Sequence, residues 1–202
     1  MNKRLFVAGF IAFILFLILR YVYDLPIFVS FDKNMQALVG ENSFIGSFHY
    51  LGELKVISLI TLILLGWLGF KHPNNSRIIF VLFTIPVGFL LNQLMKNWVK
   101  RPRPEIENQL SSYSFPSGHA MLGLLYLLTI AFLLSERTTV EKKKWWIWIV
   151  AITLAFFIGL SRVAESRHFA TDVMAGWCLG VAWFCLCVYW YIHKSSNQLK
   201  RD

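Results

Sequence analysis

The sequence predicts an all-α fold: a six-transmembrane-helix bundle with a short interfacial helix between spans 1 and 2. Three observations lead to this class. The 202 residues are 56% hydrophobic, with a mean hydropathy of +0.55. Charged residues make up 15% of the chain, whereas a soluble domain carries about 25%. The apolar residues also fall into runs that approach the ~20 residues needed to cross a bilayer.

Polar segments separate these runs, and together the runs form one integral membrane domain over residues 1–202. The six predicted spans cover residues 5–22, 51–70, 78–95, 118–134, 145–160 and 172–192. Lys3 and Arg4 precede the first run, as they do in a secretory signal peptide. Because no clear small-residue cleavage site follows the run, the sequence favours an uncleaved first span.

The segment between the first two spans is mixed in character. Pro26 interrupts a helix that continues from span 1, and Asp32 is placed to cap a short helix that ends at Val39. The apolar side of that helix carries Phe31, Met35, Leu38 and Val39. Such an amphipathic helix lies in the membrane interface. It packs over the bundle or touches a lipid substrate.

The formal net charge of +9 does not indicate a nucleic-acid partner, because the basic residues sit at the ends of apolar runs. Six spans place both termini on one face, with eleven of the twenty Lys and Arg residues. The other face has nine. Six of these cluster in the 96–116 and 161–171 loops, where a substrate accounts for them. The remaining ratio predicts cytoplasmic termini and outward-facing loops. Cys178, Cys185 and Cys187 lie in the last apolar run, which favours a role as small apolar side chains over one as disulfide or metal partners.

A possible anion site begins span 4. Ser117 can cap the helix that follows, because its hydroxyl oxygen accepts a first-turn N–H. Gly118 lets a ligand approach the backbone closely, and the helix N-terminus favours an anion there. His119 adds an ionisable group at the same place. An ordinary helix cap beside a surface histidine explains the same residues.

Cations precede this stretch in the 96–116 loop. Lys96, Lys100 and Arg103 are spaced so that a continuing helix would align them on one face. The prolines that follow end such a helix near Arg101. The alternative is a cationic helix end that reaches lipid headgroups.

The 161–171 loop leads into a possible histidine–carboxylate pair. His168 and Asp172 are four residues apart, so they are neighbours if the stretch is helical. A carboxylate on one imidazole nitrogen fixes the tautomer and leaves the lone pair of the other nitrogen free. A simple helix cap is the competing interpretation. Together, however, the three stretches bring cations, a helix N-terminus and two histidines to one side of the membrane. This combination suits a phosphate.

Three short sequences carry a resemblance to a known family. They are Lys96-x6-Arg103-Pro104, Pro116-Ser117-Gly118-His119 and Ser161-Arg162-x5-His168-x3-Asp172. They resemble, complete and in order, the three signatures of the membrane-bound type 2 phosphatidic acid phosphatase superfamily. The size and topology resemble its bacterial phosphatidylglycerophosphatase B type.

The resemblance implies a metal-independent lipid phosphatase that needs no cofactor. His168 would be the nucleophile, Asp172 would orient it, and His119 would be the general acid. The phosphoryl oxygens would be held by Lys96, Arg103, Ser117, Gly118 and Arg162. Lys100, Arg101 and Arg167 fall outside the signatures, with steering of an acidic headgroup as their possible role.

The resemblance leaves the substrate open among phosphatidylglycerophosphate, phosphatidate, diacylglycerol pyrophosphate and undecaprenyl pyrophosphate. A lipid phosphotransferase would use the same residues with a non-water acceptor. A non-enzymatic lipid-phosphate carrier would need the cations but not a His–Asp pair. Vanadate-dependent halide oxidation belongs to soluble relatives and does not suit six spans. The sequence does not indicate an oligomeric state.

Overall fold

The chain is described by a computed structural model over residues 2–71 and 75–198, and within those ranges its regular structure is entirely helical. The α-helices are α1 Asn2–Val22, α2 Pro26–Val39, α3 Ser43–Ser47, α4 Leu54–Lys71, α5 Asn75–Leu82, α6 Gly88–Val99, α7 Gly118–Ser135, α8 Glu141–Ala164 and α9 Ala170–Gln198. A 3-10 helix, Phe48–Gly52, joins α3 to α4, and a π-helical turn, Phe83–Val87, joins α5 to α6.

Five helical stretches of the described residues are long and apolar enough to cross a membrane. They are Lys3–Val22, Asn75–Val99, Gly118–Ser135, Glu141–Ala164 and Ala170–Lys194. A sixth results if Ser43–Gly52 and Leu54–Phe70, which meet at an angle of 47°, form one broken span. The all-helical fold class is therefore confirmed. The second span differs from the straight helix predicted over 51–70, because Glu53 adopts an extended conformation between its two parts.

The third span contains a bulge that the sequence analysis did not predict. Pro86 lies in the π-helical turn between α5 and α6, and its missing N–H breaks the regular helical hydrogen-bond pattern there. The span ends at Val99, close to the predicted end near Arg101. Lys100 is the left-handed capping residue, with φ of 56°. Because the helix stops here, it does not align Lys100 and Arg103 with Lys96.

The helix between the first two spans is longer than the sequence analysis predicted. It begins at Pro26, whose fixed φ suits the first position of a helix. The prediction that Asp32 caps this helix was wrong. Asp32 lies in its middle with 5% of its surface exposed. The apolar side is divided: Val39 is buried, whereas Leu38 is 77% exposed. α2 packs against α8 and α9, so one side is held by the bundle.

The core of the bundle is built around α7, which packs against α8 and α9. The start of α9 lies very close to the start of α7. The N–H of Ser117 donates to the carbonyl of Asp172 over 3.0 Å. One turn later, a Cβ on Gly176 would lie 2.7 Å from the Ser117 carbonyl oxygen. This close approach depends on glycine, and it sets the register of two of the three sequence signatures.

Replacing this glycine tests the packing. Gly176→Ala gains the ~1 kcal/mol by which alanine exceeds glycine in a helix, but it must push α9 away from α7. Gly66→Ala in α4 gains the same propensity with nothing within 4 Å of the new Cβ. We expect Gly176→Ala to lower the melting temperature in detergent and Gly66→Ala to leave it unchanged or raise it. Equal shifts in the two variants would contradict the packing described here.

Candidate active site

The three signatures meet at one end of the bundle. The chain after α6 reaches the α8–α9 turn through Arg103, whose Nη1 donates to the carbonyl of Arg167 over 2.6 Å. The backbone of the same loop is tied to itself, because the N–H of Ser114 donates to the carbonyl of Arg101 over 2.8 Å. The start of α7 is joined to the start of α9 by the Ser117 N–H. Residues that are far apart in sequence thus share one polar site.

His168 lies at the centre of this site with 2% of its surface exposed. Its Nδ1 is 3.5 Å from Oδ2 of Asp172, and its Nε2 is 3.1 Å from Nη1 of Arg103. A guanidinium group can only donate, so Nε2 accepts, and the proton of the neutral ring is on Nδ1. This is the tautomer that leaves a lone pair on Nε2. His168 precedes α9 rather than lying within it, so the contact with Asp172 spans the helix start.

Burial is the main electrostatic influence on His168. It lowers the pKa of His168 to about 3, and the charges of Arg103 and Lys96 act in the same direction. The contact with Asp172 opposes them. The imidazole is therefore neutral at physiological pH, which is the form a nucleophile needs. Burial also lowers the pKa of Arg103 to about 10, so its guanidinium remains charged at neutral pH.

The carboxylate of Asp172 is fully buried and accepts hydrogen bonds on both oxygens. Oδ1 accepts from Nη1 of Arg101 over 2.7 Å. Oδ2 accepts from the hydroxyl of Ser114 and from the N–H of Phe169 over 2.9 Å. The bond to Phe169 is the backward half of a capping box, since Asp172 stands in the first turn of α9. Donors from two separate segments, the loop after α6 and the turn before α9, therefore fix the orientation of the group that contacts His168.

The start of α7 has the predicted cap. The hydroxyl of Ser117 accepts from the N–H of Ala120 over 3.5 Å, so this hydroxyl is engaged within the protein. Gly118 and His119 present first-turn N–H groups, which have no acceptor within the helix. The half-buried ring of His119 packs against the 3-10 helix. A Cβ on Gly52 would lie 2.8 Å from His119 Cδ2.

Two of the predicted phosphate-binding cations have quite different surroundings. Arg162 is 4% exposed; its Nη1 donates to Oε2 of Glu165 over 2.5 Å, whereas its buried Nε has no hydrogen-bond partner among the described residues. Lys96 is also buried, but its ammonium group donates to the carbonyl of Tyr113 over 2.5 Å. Arg162 therefore keeps one unpartnered donor, its Nε, whereas the ammonium group of Lys96 is already bonded to the loop before α7.

Two neighbouring cavities open onto the site. His119 and Arg162 line a cavity of about 830 Å³. His168 lines another of about 900 Å³ on the side of α2, and the two share Glu41, Ile106 and Ser166 along their borders. His119 lies within the electrostatic influence of both His168 and Arg162. Within the described ranges, no three His, Cys, Asp or Glu side chains form a group suited to a metal ion.

The structure also shows site residues that the sequence analysis missed. Ser114 was part of the stretch that ends at His119 but received no role. Arg101 was left outside the core of the site, with steering of an acidic headgroup as a possible role; instead it is 6% exposed and pairs with Asp172. Glu165 was not singled out. Its position three residues after Arg162, on the same helical face, is the one sequence signal for their pairing.

Helices suited to a membrane and a buried His–Asp pair beside buried cationic side chains define a class: multi-pass membrane proteins with a polar site at one end of the bundle. Residues 77–196 match the PAP2 superfamily. Since this match covers more than half of the chain, the protein belongs to the PAP2 superfamily.

Individual relatives agree with this assignment. Phosphatidylglycerophosphatase B of Bacillus subtilis is 33% identical over 134 residues, which is 65% of each chain and so just under two thirds of that relative. The bacitracin transport permease protein BcrC of Bacillus licheniformis is 29% identical over 157 residues, covering 73% of this chain and 71% of the relative.

The fold is also similar to a solved structure. The crystal structure of the first transmembrane PAP2 type phosphatidylglycerolphosphate phosphatase from Bacillus subtilis superimposes with a TM-score of 0.79 and 28% identity. The match covers 89% of this chain and 94% of that one.

The tautomer and charge of His168 can be measured directly. We expect the imidazole of His168 to remain neutral, with its proton on Nδ1, from about pH 5 upward, because its pKa is lowered below the ordinary ~6.5. Nitrogen NMR of protein labelled at histidine reports both properties, and His168→Ala identifies the signal. A titration midpoint near ~6.5 would contradict the burial and charge environment described here.

Proposed function

We propose that the protein is a membrane lipid phosphatase that hydrolyses terminal phosphates of lipid phosphates through a phosphohistidine on His168. The observation that carries the proposal is the position of His168 Nε2, which carries the lone pair of the ring because Nδ1 faces Asp172. It faces Arg103 and not a carbonyl or carboxylate, so an entering phosphoryl oxygen can take over that guanidinium. The phosphatase name carried by the Bacillus subtilis relative and its solved structure supports the reaction class.

In the first step, Nε2 of His168 attacks phosphorus and the bond from phosphorus to the lipid oxygen breaks. His119 gives its proton to the departing oxygen, so the lipid leaves as an alcohol, or as a lipid monophosphate if the substrate is a pyrophosphate. Asp172 accepts the Nδ1–H bond and stabilises the cationic ring that forms. The negative charge of the bound phosphate keeps His119 protonated before this step.

In the second step, water attacks the phosphohistidine. His119, now neutral, takes a proton from that water, and the bond between Nε2 and phosphorus breaks. Inorganic phosphate leaves, and both histidines return to their starting forms. The same residue thus acts as acid and then as base, which requires it to remain on the leaving-group side of the phosphorus throughout.

The surrounding cations stabilise the phosphoryl oxygens as charge shifts in the transition state. Arg162 offers its unpartnered Nε, and Arg103 can exchange His168 for a phosphoryl oxygen. The first-turn N–H groups at Gly118 and His119 add backbone donors at the positive end of α7. Lys96 contributes its charge from behind the loop. Ser117 supports the same oxygens indirectly, by capping α7.

The proposed substrates are phosphatidylglycerophosphate and related lipid phosphates and pyrophosphates, including undecaprenyl pyrophosphate, phosphatidate and diacylglycerol pyrophosphate. Their apolar tails stay among the spans while the headgroup enters the polar site. The charge distribution of the sequence supports cytoplasmic termini and an extracytoplasmic site in the cell membrane.

Phosphate release and phosphoenzyme trapping test the proposal together. Purified protein with EDTA is expected to release phosphate from at least one lipid of this set and to trap labelled phosphate after an acid-free quench. We expect His168→Ala to abolish trapping and to lower phosphate release at least ~10³-fold, because the nucleophile is lost.

His193 is an exposed histidine at the far end of α9. His193→Ala is the matched control and should retain both phosphate release and the trapped phosphoenzyme. A phosphoenzyme in His168→Ala would remove this residue from the nucleophile role. Movement of lipid phosphates across vesicles without any phosphate release would instead support a carrier, a role suggested by the permease name of one relative.

A further inference from the structure

A buried charge cluster adjoins the His–Asp pair. Its centre is Arg101, which the three signatures leave out. Nη1 of Arg101 donates to Oδ1 of Asp172 and to the hydroxyl of Thr171, each over 2.7 Å. Nη2 donates to Oδ2 of Asp32 over 3.0 Å. One guanidinium therefore bridges two buried carboxylates, one of which contacts His168.

Aromatic rings hold this guanidinium in place. The Arg101 Cζ lies 4.3 Å from the centre of the Tyr23 ring and 4.1 Å from that of the Phe169 ring. Such contacts favour a planar cation in one orientation. With both terminal nitrogens bonded to buried acceptors and two aromatic contacts, Arg101 is held in one position.

The second carboxylate fastens the cluster to α2. Oδ1 of Asp32 accepts from the N–H of Thr171 over 2.8 Å, and Oδ2 accepts from the Thr171 hydroxyl over 2.8 Å. Thr171 directly precedes Asp172, so these two hydrogen bonds join α2 to the first turn of α9. A further bond, from Gln36 Nε2 to the hydroxyl of Ser166 over 2.7 Å, fastens α2 to the turn that carries His168.

We infer that Arg101 and Asp32 are positioning residues for phosphoryl transfer: they hold Oδ1 of Asp172 so that Oδ2 stays directed at His168 Nδ1. The inference rests on the proposed function, in which His168 attacks phosphorus. Arg101 bonds to Oδ1, whereas Ser114 and Phe169 bond to Oδ2 beside His168. Loss of Arg101 therefore leaves Oδ1 without this donor and lets the carboxylate turn about its bonds to Oδ2. Asp32 accepts from Nη2 of Arg101, so the guanidinium cannot bond to both oxygens of Asp172 at once.

The test measures phosphoenzyme formation at saturating and limiting substrate in the full chain. Arg101→Gln is expected to lower kcat ~10–100-fold, the range found when a group that orients a reactive one is lost. KM should change less than about twofold, because both terminal nitrogens of Arg101 are bonded to groups of the protein. Asp32→Asn should give a smaller fall in kcat. Lys142→Gln changes an exposed cation at the start of α8, the end of that helix opposite the site. It is the matched control and should keep wild-type kcat.

Coupling to Asp172 separates positioning from a general effect on stability. If Arg101 acts through Asp172, Arg101→Gln should add less than about threefold in an Asp172→Asn background. The same fold-loss in both backgrounds would overturn the inference. So would a rise in KM with an unchanged kcat, since that result would assign Arg101 to substrate binding.

A further variant covers the case in which Arg101→Gln folds poorly because two buried carboxylates then face each other. The double variant Asp32→Asn/Arg101→Gln removes one charge of each sign and preserves the net charge of the cluster. We expect it to recover the melting temperature but not kcat. Recovery of both would overturn the inference. Failure of wild-type protein to release phosphate, or activity in His168→Ala, would overturn the proposed function itself.

Discussion

The buried carboxylate of Asp172 is the interaction on which the site depends. Removing such a charge from water is costly unless donors replace the lost hydration. Here those donors come from two segments: Arg101 and Ser114 in the loop after α6, and His168 and Phe169 in the turn before α9. The carboxylate is satisfied only when these segments meet. The same interaction therefore assembles the site and orients the histidine.

The cationic side chains of the site differ in how far carboxylates balance their charge. Arg101 is balanced by two carboxylates. Arg162 has a partner at Nη1 but an open, buried Nε. Arg103 holds carbonyl groups with part of its guanidinium and shares the rest with His168. A buried donor without an acceptor is unfavourable, and in the proposed function a phosphoryl oxygen supplies the missing acceptor.

Much of this arrangement could be predicted from the sequence, because the spans impose it. Each signature adjoins the end of an apolar run, and an even number of crossings between them places all three at one end of the bundle. The helix cap at Ser117 and the contact of His168 with Asp172 follow from local spacing. These are short-range patterns, and the order of the spans supplies the long-range part.

The rest depends on contacts that no local pattern specifies. Asp32 and Thr171 bond across a separation of 139 residues, and an acidic residue on an amphipathic helix is ordinarily exposed. Arg101 is buried because Asp32 is there to pair with it. Without that partner in view, the sequence favoured an exposed position for Arg101 beside Lys100. Lys96 bonds to loop carbonyls because α6 ends one turn later in a left-handed residue, a detail of backbone geometry and not of composition.

A structure with bound orthovanadate would test the co-location of these groups most directly. The account predicts vanadium bonded to His168 Nε2, with vanadate oxygens on Arg162 Nε and Arg103, and with His119 within hydrogen-bond reach of the apical oxygen opposite Nε2. Vanadate bound away from His168, or bound to it with His119 out of reach, would contradict the two-histidine chemistry proposed for this site.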